Sequence, residues 1–360
     1  MKILVCGGAG FIGSNFIRYM LRKYPDYSIV NFDKLTYAGN PDNVKDVSEE
    51  FEDRYSFTEG DICNRELLTA VIKEHKIDHI VNFAAETHVD RSIHGDCTEF
   101  SRTNTIGVLT LLNVVRDSAK GNGKGIAQFV NVSTDEVYGS LELEDPGKFT
   151  EDSPFLPNMP YAAAKAGGDL MCRSYFVIHK VPIIVTHCSN NYGPYQYPEK
   201  LIPASVFRLL KDMPLLIHGD GLNVRDWIHV DDHCSALDIL MHKGESGEVY
   251  NIGADNERNN LEIAKTILRL MGKPEDMLQF VEDRPGNDRR YAIDSVKIQK
   301  MGWVPKYPRD EFETGMKESI DWYLKNEDWV KNSWEKHVNA YKINHTLTLR
   351  KKQEELEKIF

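Results

Sequence analysis

The sequence predicts an α/β chain, a doubly wound parallel sheet followed by a smaller C-terminal α/β lobe. Three observations carry this. In the first half, short β-branched runs alternate with longer segments of helical period, the pattern of successive βαβ units. A glycine-rich stretch, Gly7-Gly8-Ala9-Gly10-Phe11-Ile12-Gly13, separates the first run from the first helical segment. Asp33 closes the second run, 20 residues after Gly13.

The chain begins Met1-Lys2-Ile3-Leu4-Val5-Cys6, too short an apolar run for a leader and without a cleavage site, so Lys2 to Cys6 is the first strand and a cytoplasmic location is expected. Further strands are expected at Ser28 to Phe32, Tyr55 to Glu59, His79 to Phe83, Gln128 to Ser133 and Pro182 to His187. Helical period marks Ile12 to Lys23, Arg65 to His75, Cys97 to Ser118 and Tyr161 to His179 between them. From Ser189 the texture changes, as Pro194, Pro198, Pro203 and Pro214 punctuate shorter elements. Val249-Tyr250-Asn251-Ile252-Gly253 nevertheless reads as a buried strand able to return to the sheet. The expected organisation is a sheet-forming unit over 1–188, a second lobe over 189–323 and a polar, solvated helical tail over 324–360.

Composition narrows the function classes. The 360 residues carry 44 Lys and Arg against 55 Asp and Glu, a net charge of −11, so nucleic acid is not an expected partner. No apolar run nears the roughly 18 to 20 residues needed to span a bilayer, and no membrane partner is expected. Six cysteines, at positions 6, 63, 97, 172, 188 and 234, include no Cys-x-x-Cys pair, so neither a disulfide framework nor a zinc site is expected. His229 and His233 stand four residues apart around Asp231 and Asp232, but a helix start capped by Asp accounts for them and no metal is expected.

The chemistry gathers at three places. Gly7, Gly10 and Gly13 allow a tight turn and let a diphosphate approach bare backbone N–H groups at a helix N-terminus. A carboxylate at Asp33 can accept from both ribose hydroxyls and repels a 2′-phosphate, which favours NAD over NADP. Tyr161 and Lys165 share a helix face, where the cation should lower the phenol's pKa and make it a base for a hydroxyl proton. Tyr19 and Lys23 repeat that spacing, so position decides between them, and Tyr161 opens a helix after the fifth strand, toward the nicotinamide end. Ser133-Thr134-Asp135-Glu136 ends the fifth strand at the edge where doubly wound sheets bind ligands. One carboxylic acid there could protonate a leaving hydroxyl while the other carboxylate takes a carbon-bound proton; the alternative is a solvated turn.

Further blocks accompany these: Asn82-Phe83-Ala84-Ala85-Glu86-Thr87-His88-Val89-Asp90-Arg91-Ser92, Ser189-Asn190-Asn191-Tyr192-Gly193-Pro194, Glu199-Lys200-Leu201-Ile202-Pro203, Arg225-Asp226-Trp227 and Asp283-Arg284-Pro285-Gly286. With them, residues 1–323 resemble the dTDP-glucose 4,6-dehydratases of the extended short-chain dehydrogenase/reductase superfamily. The glycine loop and the Tyr/Lys pair mark the superfamily; Thr134-Asp135-Glu136 marks the dehydratases. The resemblance implies an NAD-dependent, redox-neutral hydro-lyase that converts dTDP-glucose to dTDP-4-keto-6-deoxyglucose for deoxysugar biosynthesis. In that scheme Tyr161 takes the sugar 4-hydroxyl proton, supported by Thr134 and Lys165, Glu136 removes the carbon 5 proton, and Asp135 protonates the departing 6-hydroxyl.

The same resemblance implies cofactor contacts from Phe11, Ile12, Asp33, Lys34, Leu35, Thr36, Asp61, Ile62, Ala84, Ala85, Glu86, Thr103 and Asn191, besides Tyr161 and Lys165. It implies substrate contacts from Thr87, Thr134, Asn190, Lys200, Leu201, Arg225, Asn260, Asp283, Arg284 and Asn287, with Arg225 as the diphosphate clamp. A homodimer packed through the helices at Cys97 to Ser118 and Tyr161 to His179 is implied too. The chain departs from the family's pattern at Cys6, Thr87 and Asn287, where Thr, Ser and His are usual. Other readings are a UDP-glucose 4,6-dehydratase, a nucleotide-sugar 4-epimerase, which needs Tyr161 and Lys165 but no carbon 5 base, and a non-catalytic dinucleotide-binding regulator.

Overall fold

The β-branched runs of the first half pair as a parallel sheet because helices cover both of its faces. This arrangement is seen in a computed structural model that describes residues 1–119, 125–283 and 286–343. β1 (Lys2–Cys6) leads to α1 (Phe11–Lys23), β2 (Ser28–Asp33), α2 (Lys45–Glu50), β3 (Tyr55–Glu59), α3 (Arg65–His75) and β4 (His79–Asn82). The short helices α4 (Val89–His94) and α5 (Thr98–Ser101) precede a π-helical segment, Arg102–Gly107, and α6 (Val108–Ser118). β5 (Gln128–Thr134), α7 (Pro160–His179) and β6 (Ile183–Cys188) end the regular alternation.

The rest comprises β7 (Asn190–Tyr192), α8 (Leu201–Leu210), β8 (Leu215–His218), β9 (Val224–His229), α9 (Val230–Lys243), β10 (Val249–Ile252) and β11 (Glu257–Asn259). It closes with α10 (Asn260–Leu270), β12 (Leu278–Val281), α11 (Val296–Gln299), α12 (Phe312–Lys325) and α13 (Glu327–Ile343). The seven-stranded sheet runs β10-β6-β5-β4-β1-β2-β3, with the strand order reversing between β1 and β4. That reversal opens a crevice at the carboxyl ends of the strands, where such sheets take ligands. β10 returns to the sheet beside β6, Val249 opposite Val185 and Ile252 opposite Cys188, as its apolar run suggested. The second lobe adds a three-stranded sheet, β11-β9-β7, and a parallel pair, β12-β8.

One predicted helix is altered. Cys97 to Ser118 is not continuous, because Arg102–Gly107 widens to π geometry, an insertion often found at functional sites. α7 approaches it so closely that a Cβ on Gly168 would stand 2.5 Å from the Asn104 carbonyl oxygen. The widened turn carries Asn104, whose side chain exchanges two hydrogen bonds with the Glu86 backbone, each 3.0 Å.

The C-terminal segment is also not solvated. α13 buries Trp329, Val330 and Trp334 in the same apolar cluster as Phe207, Tyr323 and Phe312 of the second lobe. Its polar residues dominate the composition, while three large apolar side chains decide where it lies. The stretch from Leu349 to Phe360 falls outside the described residues.

Candidate active site

On the first side of the crevice, the glycine loop packs without room for side chains. Gly7 has φ +78, and a Cβ on it would lie 2.6 Å from the Ala84 nitrogen; one on Gly13 would lie 2.4 Å from the Gly7 carbonyl oxygen. Gly10 caps α1 without any side-chain hydrogen bond, and Phe11, Ile12 and Gly13 form the helix's first turn, so the positive end of the helix meets the crevice bare. Asp33 ends β2 with one carboxylate oxygen accepting from the Ala9 N–H at 2.9 Å and the other from the Leu35 N–H at 2.8 Å. Burial raises its pKa, partly offset by those two amides.

Leu35 adopts φ +53, and the Thr36 carbonyl accepts from the Gly39 N–H, so the chain curls around Asp33. Lys34 and Arg102 both pair with Asp61, at 3.0 and 2.9 Å, which draws the loops after β2 and β3 toward the π-helical segment that carries Thr103. Ile62 is buried beneath that segment, and Ala84, Ala85 and Glu86 leave β4 alongside the glycine loop. A bare helix terminus, a cradle that a Cβ would fill and a carboxylate at the second strand's end together fit a dinucleotide with unphosphorylated ribose.

The middle of the crevice holds the acid–base groups. Thr134 is the last residue of β5, and its Oγ1 accepts from the Glu136 N–H at 3.3 Å. Asp135 is 2% exposed, and its Oδ2 has no hydrogen-bond partner among the described residues. Burial, then Glu136 and Asp226, push its pKa well above the usual carboxylate range against the pull of Arg225. Tyr161 shares a hydrogen bond with Thr134, yet its pKa is raised, first by burial and then by Glu136.

The expected lowering of the Tyr161 phenol by Lys165 is therefore not what the chain alone provides. Lys165 turns its ammonium to the Val132 carbonyl at 2.7 Å, and burial lowers its pKa. In the rival pair Lys23 does donate to Tyr19 at 2.9 Å, yet burial raises that phenol too, and both side chains meet the buried Asp238 of α9.

The far side gathers the second lobe's polar groups. Arg225, on β9, is buried and donates to the Val224 and Asp288 carbonyls and to Asn287 Oδ1, its guanidinium 4.4 Å above the Tyr291 ring. Asn287 in turn donates to Asp283 at 2.8 Å, so three expected substrate residues form one chain of contacts. Lys200 caps α8, which Leu201 begins, and donates to the Thr87 carbonyl at 3.2 Å. The buried Oδ1 of Asn190 has no partner among the described residues. Asn191 is held by Ser189 and by His233, and Asn260 opens α10, its N–H on the Asn223 carbonyl. Arg284 lies outside the described residues.

A model of the GDP-mannose 4,6 dehydratase family matches residues 4–318. A dTDP-glucose 4,6-dehydratase of Xanthomonas campestris pv. campestris is 44% identical over 357 residues, 96% of this chain and 99% of that protein. The chain belongs to the dTDP-glucose 4,6-dehydratase family. The low-salt glycan biosynthesis protein Agl12 of Haloferax volcanii is 48% identical over 91% of this chain and all of its own. The crystal structure of dTDP-glucose 4,6-dehydratase from Bacillus anthracis in complex with NAD superposes with a TM-score of 0.84 at 50% identity, covering 92% of this chain and 99% of that one. The alignment with the Xanthomonas protein runs well past Tyr323, so α13 is not an addition peculiar to this dehydratase.

Two groups of the dehydratase site were not singled out from sequence. Glu199 is almost wholly buried, 3.7 Å from His88 and 3.3 Å from Lys200; burial pushes its carboxyl up, but those neighbours hold it below the usual range. Tyr291 lies beneath Arg225, donates to Asp288 and senses Glu136. Glu199 adjoins Lys200 in the sequence, which was its available signal; Tyr291 had none. His229 and His233 do not converge on a metal. His229 caps α9 by accepting from the Asp231 N–H at 3.2 Å, the role expected of an Asp, and His233 meets Asn191. Among the described residues no group of three His, Cys, Asp or Glu could hold an ion.

Proposed function

We propose that this chain is a dTDP-glucose 4,6-dehydratase, converting dTDP-glucose to dTDP-4-keto-6-deoxyglucose and water for deoxysugar biosynthesis. The observation that carries this is the carboxyl pair at the end of β5: Asp135, 2% exposed with an unpartnered Oδ2 and its pKa raised chiefly by burial, directly followed by Glu136. An epimerase has no use for an acid–base carboxyl pair, whereas elimination across carbons 5 and 6 needs both. Bound NAD would supply a hydride acceptor at carbon 4 and a donor at carbon 6, leaving no net redox change.

The chain's own residues do the proton work. Tyr161, steadied by its hydrogen bond with Thr134, accepts the 4-hydroxyl proton as the ketone forms. The buried ammonium of Lys165 lies one helical turn away and stabilises the developing phenolate once the substrate excludes water. The ketone acidifies the carbon 5 proton, which Glu136 removes, while Asp135 gives its proton to the departing 6-hydroxyl. Gly7, Gly10 to Gly13, Asp33 to Thr36, Asp61, Ile62, Ala84 to Glu86, Thr103 and Asn191 hold the cofactor. Thr87, Asn190, Lys200, Leu201, Arg225, Asn260, Asp283, Arg284 and Asn287 hold the nucleotide sugar. The division of labour is a cofactor unit over 1–188 and a nucleotide-sugar lobe over 189–323.

The protein is proposed to work in the cytoplasm as a homodimer; no helix among the described residues is long and apolar enough to cross a membrane. Incubation with dTDP-, UDP-, CDP- and GDP-glucose tests the reading. Keto-sugar should form fastest from dTDP-glucose with no build-up of reduced cofactor, whereas Glu136→Gln should stop after oxidation and accumulate it. Equal turnover of a 4-epimer by wild type and E136Q would sink the dehydratase reading.

A further inference from the structure

Helix α13 lies at the opposite end of the sequence from the cofactor loop, yet two of its side chains reach that loop or the segment beside it, and a third approaches it through Tyr197. Trp329 is 9% exposed and donates from Nε1 to Asn43 Oδ1 at 2.8 Å. Lys336, about two helical turns further along the same helix, donates from Nζ to the Gly39 carbonyl. His337 meets Tyr197 edge-on with ring centroids 5.5 Å apart, and Tyr197 meets Tyr37 edge-on at 5.6 Å.

Gly39 is the far end of the turn that wraps Asp33. A Cβ there would stand 2.9 Å from Leu35 Cα and 3.0 Å from Asp33 Oδ1. An ammonium on the Gly39 carbonyl therefore ties α13 to the turn whose other end carries Asp33. Lys336 has no carboxylate within ion-pair distance among the described residues, so its half-buried charge rests on this carbonyl and on the longer-range fields of Asp33 and Asp42. That placement costs desolvation, which a purely structural staple would not require when Trp329 already anchors the helix.

We propose that Lys336 and helix α13 form a clasp that retains the dinucleotide cofactor by holding the turn from Leu35 to Gly39 closed over Asp33. A cofactor that returns to its starting state each cycle is best kept rather than exchanged, and the clasp supplies a reason for it to stay. This rests on the NAD reading given above.

The test uses the full chain, purified with NAD and gel-filtered, scored by NAD per chain and by release rate on displacement with a fluorescent NAD analogue. Lys336→Met should release NAD about tenfold faster or more, the scale expected when one charge-assisted hydrogen bond is lost, and emerge from gel filtration depleted. Lys336→Arg, which keeps the charge and the donors, should stay within about threefold of wild type. If K336M retains NAD like wild type, or if K336R loses it as fast as K336M, the clasp is overturned while the NAD reading stands. A wild-type chain that binds no NAD overturns both.

Discussion

Asp135 owes its raised pKa to its surroundings, since burial dominates and the carboxylates of Glu136 and Asp226 add to it. The same low-dielectric pocket raises Tyr161, so both groups hold their protons more tightly than they would in water. Asp226 offers a measurable consequence. It is 1% exposed, accepts from the Asn256 N–H at 2.8 Å, and has a pKa pushed up to about 6 from the ordinary 3.8 of an aspartate, chiefly by burial. The folded state thus holds this proton more tightly than the unfolded chain does. Its stabilising effect is complete below pH 3.8 and is lost as pH rises through about 6. Asp226→Asn, neutral throughout, should gain stability relative to wild type between pH 4 and 7 by up to about 3 kcal/mol. Urea unfolding at both pH values checks this, and a difference that stays flat with pH would refute it. Thr134, Asp135, Glu136, Tyr161 and Lys165 were legible in the sequence because each pair is joined by local spacing. Glu199 and Tyr291 were not, because contacts between elements bring them to the site.

Among the elements, α7 and the π-helical segment Arg102–Gly107 behave as one unit. Close approach at Gly168 lets the widened turn place Asn104 on the Glu86 backbone, and the two hydrogen bonds there fix the strand exit that lines the cofactor crevice. Gly168→Ala would set a methyl 2.5 Å from the Asn104 carbonyl oxygen. Overpacking of this kind costs about 1–3 kcal/mol, so a lower Tm is expected together with weaker NAD binding, and calorimetry and NAD titration check the two. A lower Tm with unchanged NAD affinity would uncouple the segment from the cofactor site. The alternating strands and the glycine loop could be read from period and residue type. The π insertion could not, because the weak helix formers Thr103 to Gly107 signal a poor helix without saying that its turn widens, which accompanies the close approach of α7. The docking of α13 escaped for a related reason: Trp329 and Trp334 are few among many polar residues, and their partners are far away in the chain.

For the whole molecule, the outer face of α7 is apolar. Leu170 is 56% exposed and Ile178 68%, with Met171 and Val177 between them and Ile106 on the adjacent π-helical segment. Positions 170, 171, 177 and 178 recur at the seven-residue spacing that brings side chains to one helical stripe. A second copy packed through this stripe would cover it, so Leu170→Glu combined with Ile178→Glu should shift a dimer to monomer in light scattering while leaving the far-ultraviolet dichroism of the sheet unchanged. A wild-type monomer would remove the dimer from the proposal. The bond between Trp329 and Asn43 spans 286 residues. During synthesis the cofactor turn is made among the first segments and its fastening among the last described. The sheet receives its last strand, β10, before the clasp proposed at Lys336 can form, so a nascent chain passes through a stage in which a dinucleotide could be admitted but not fastened.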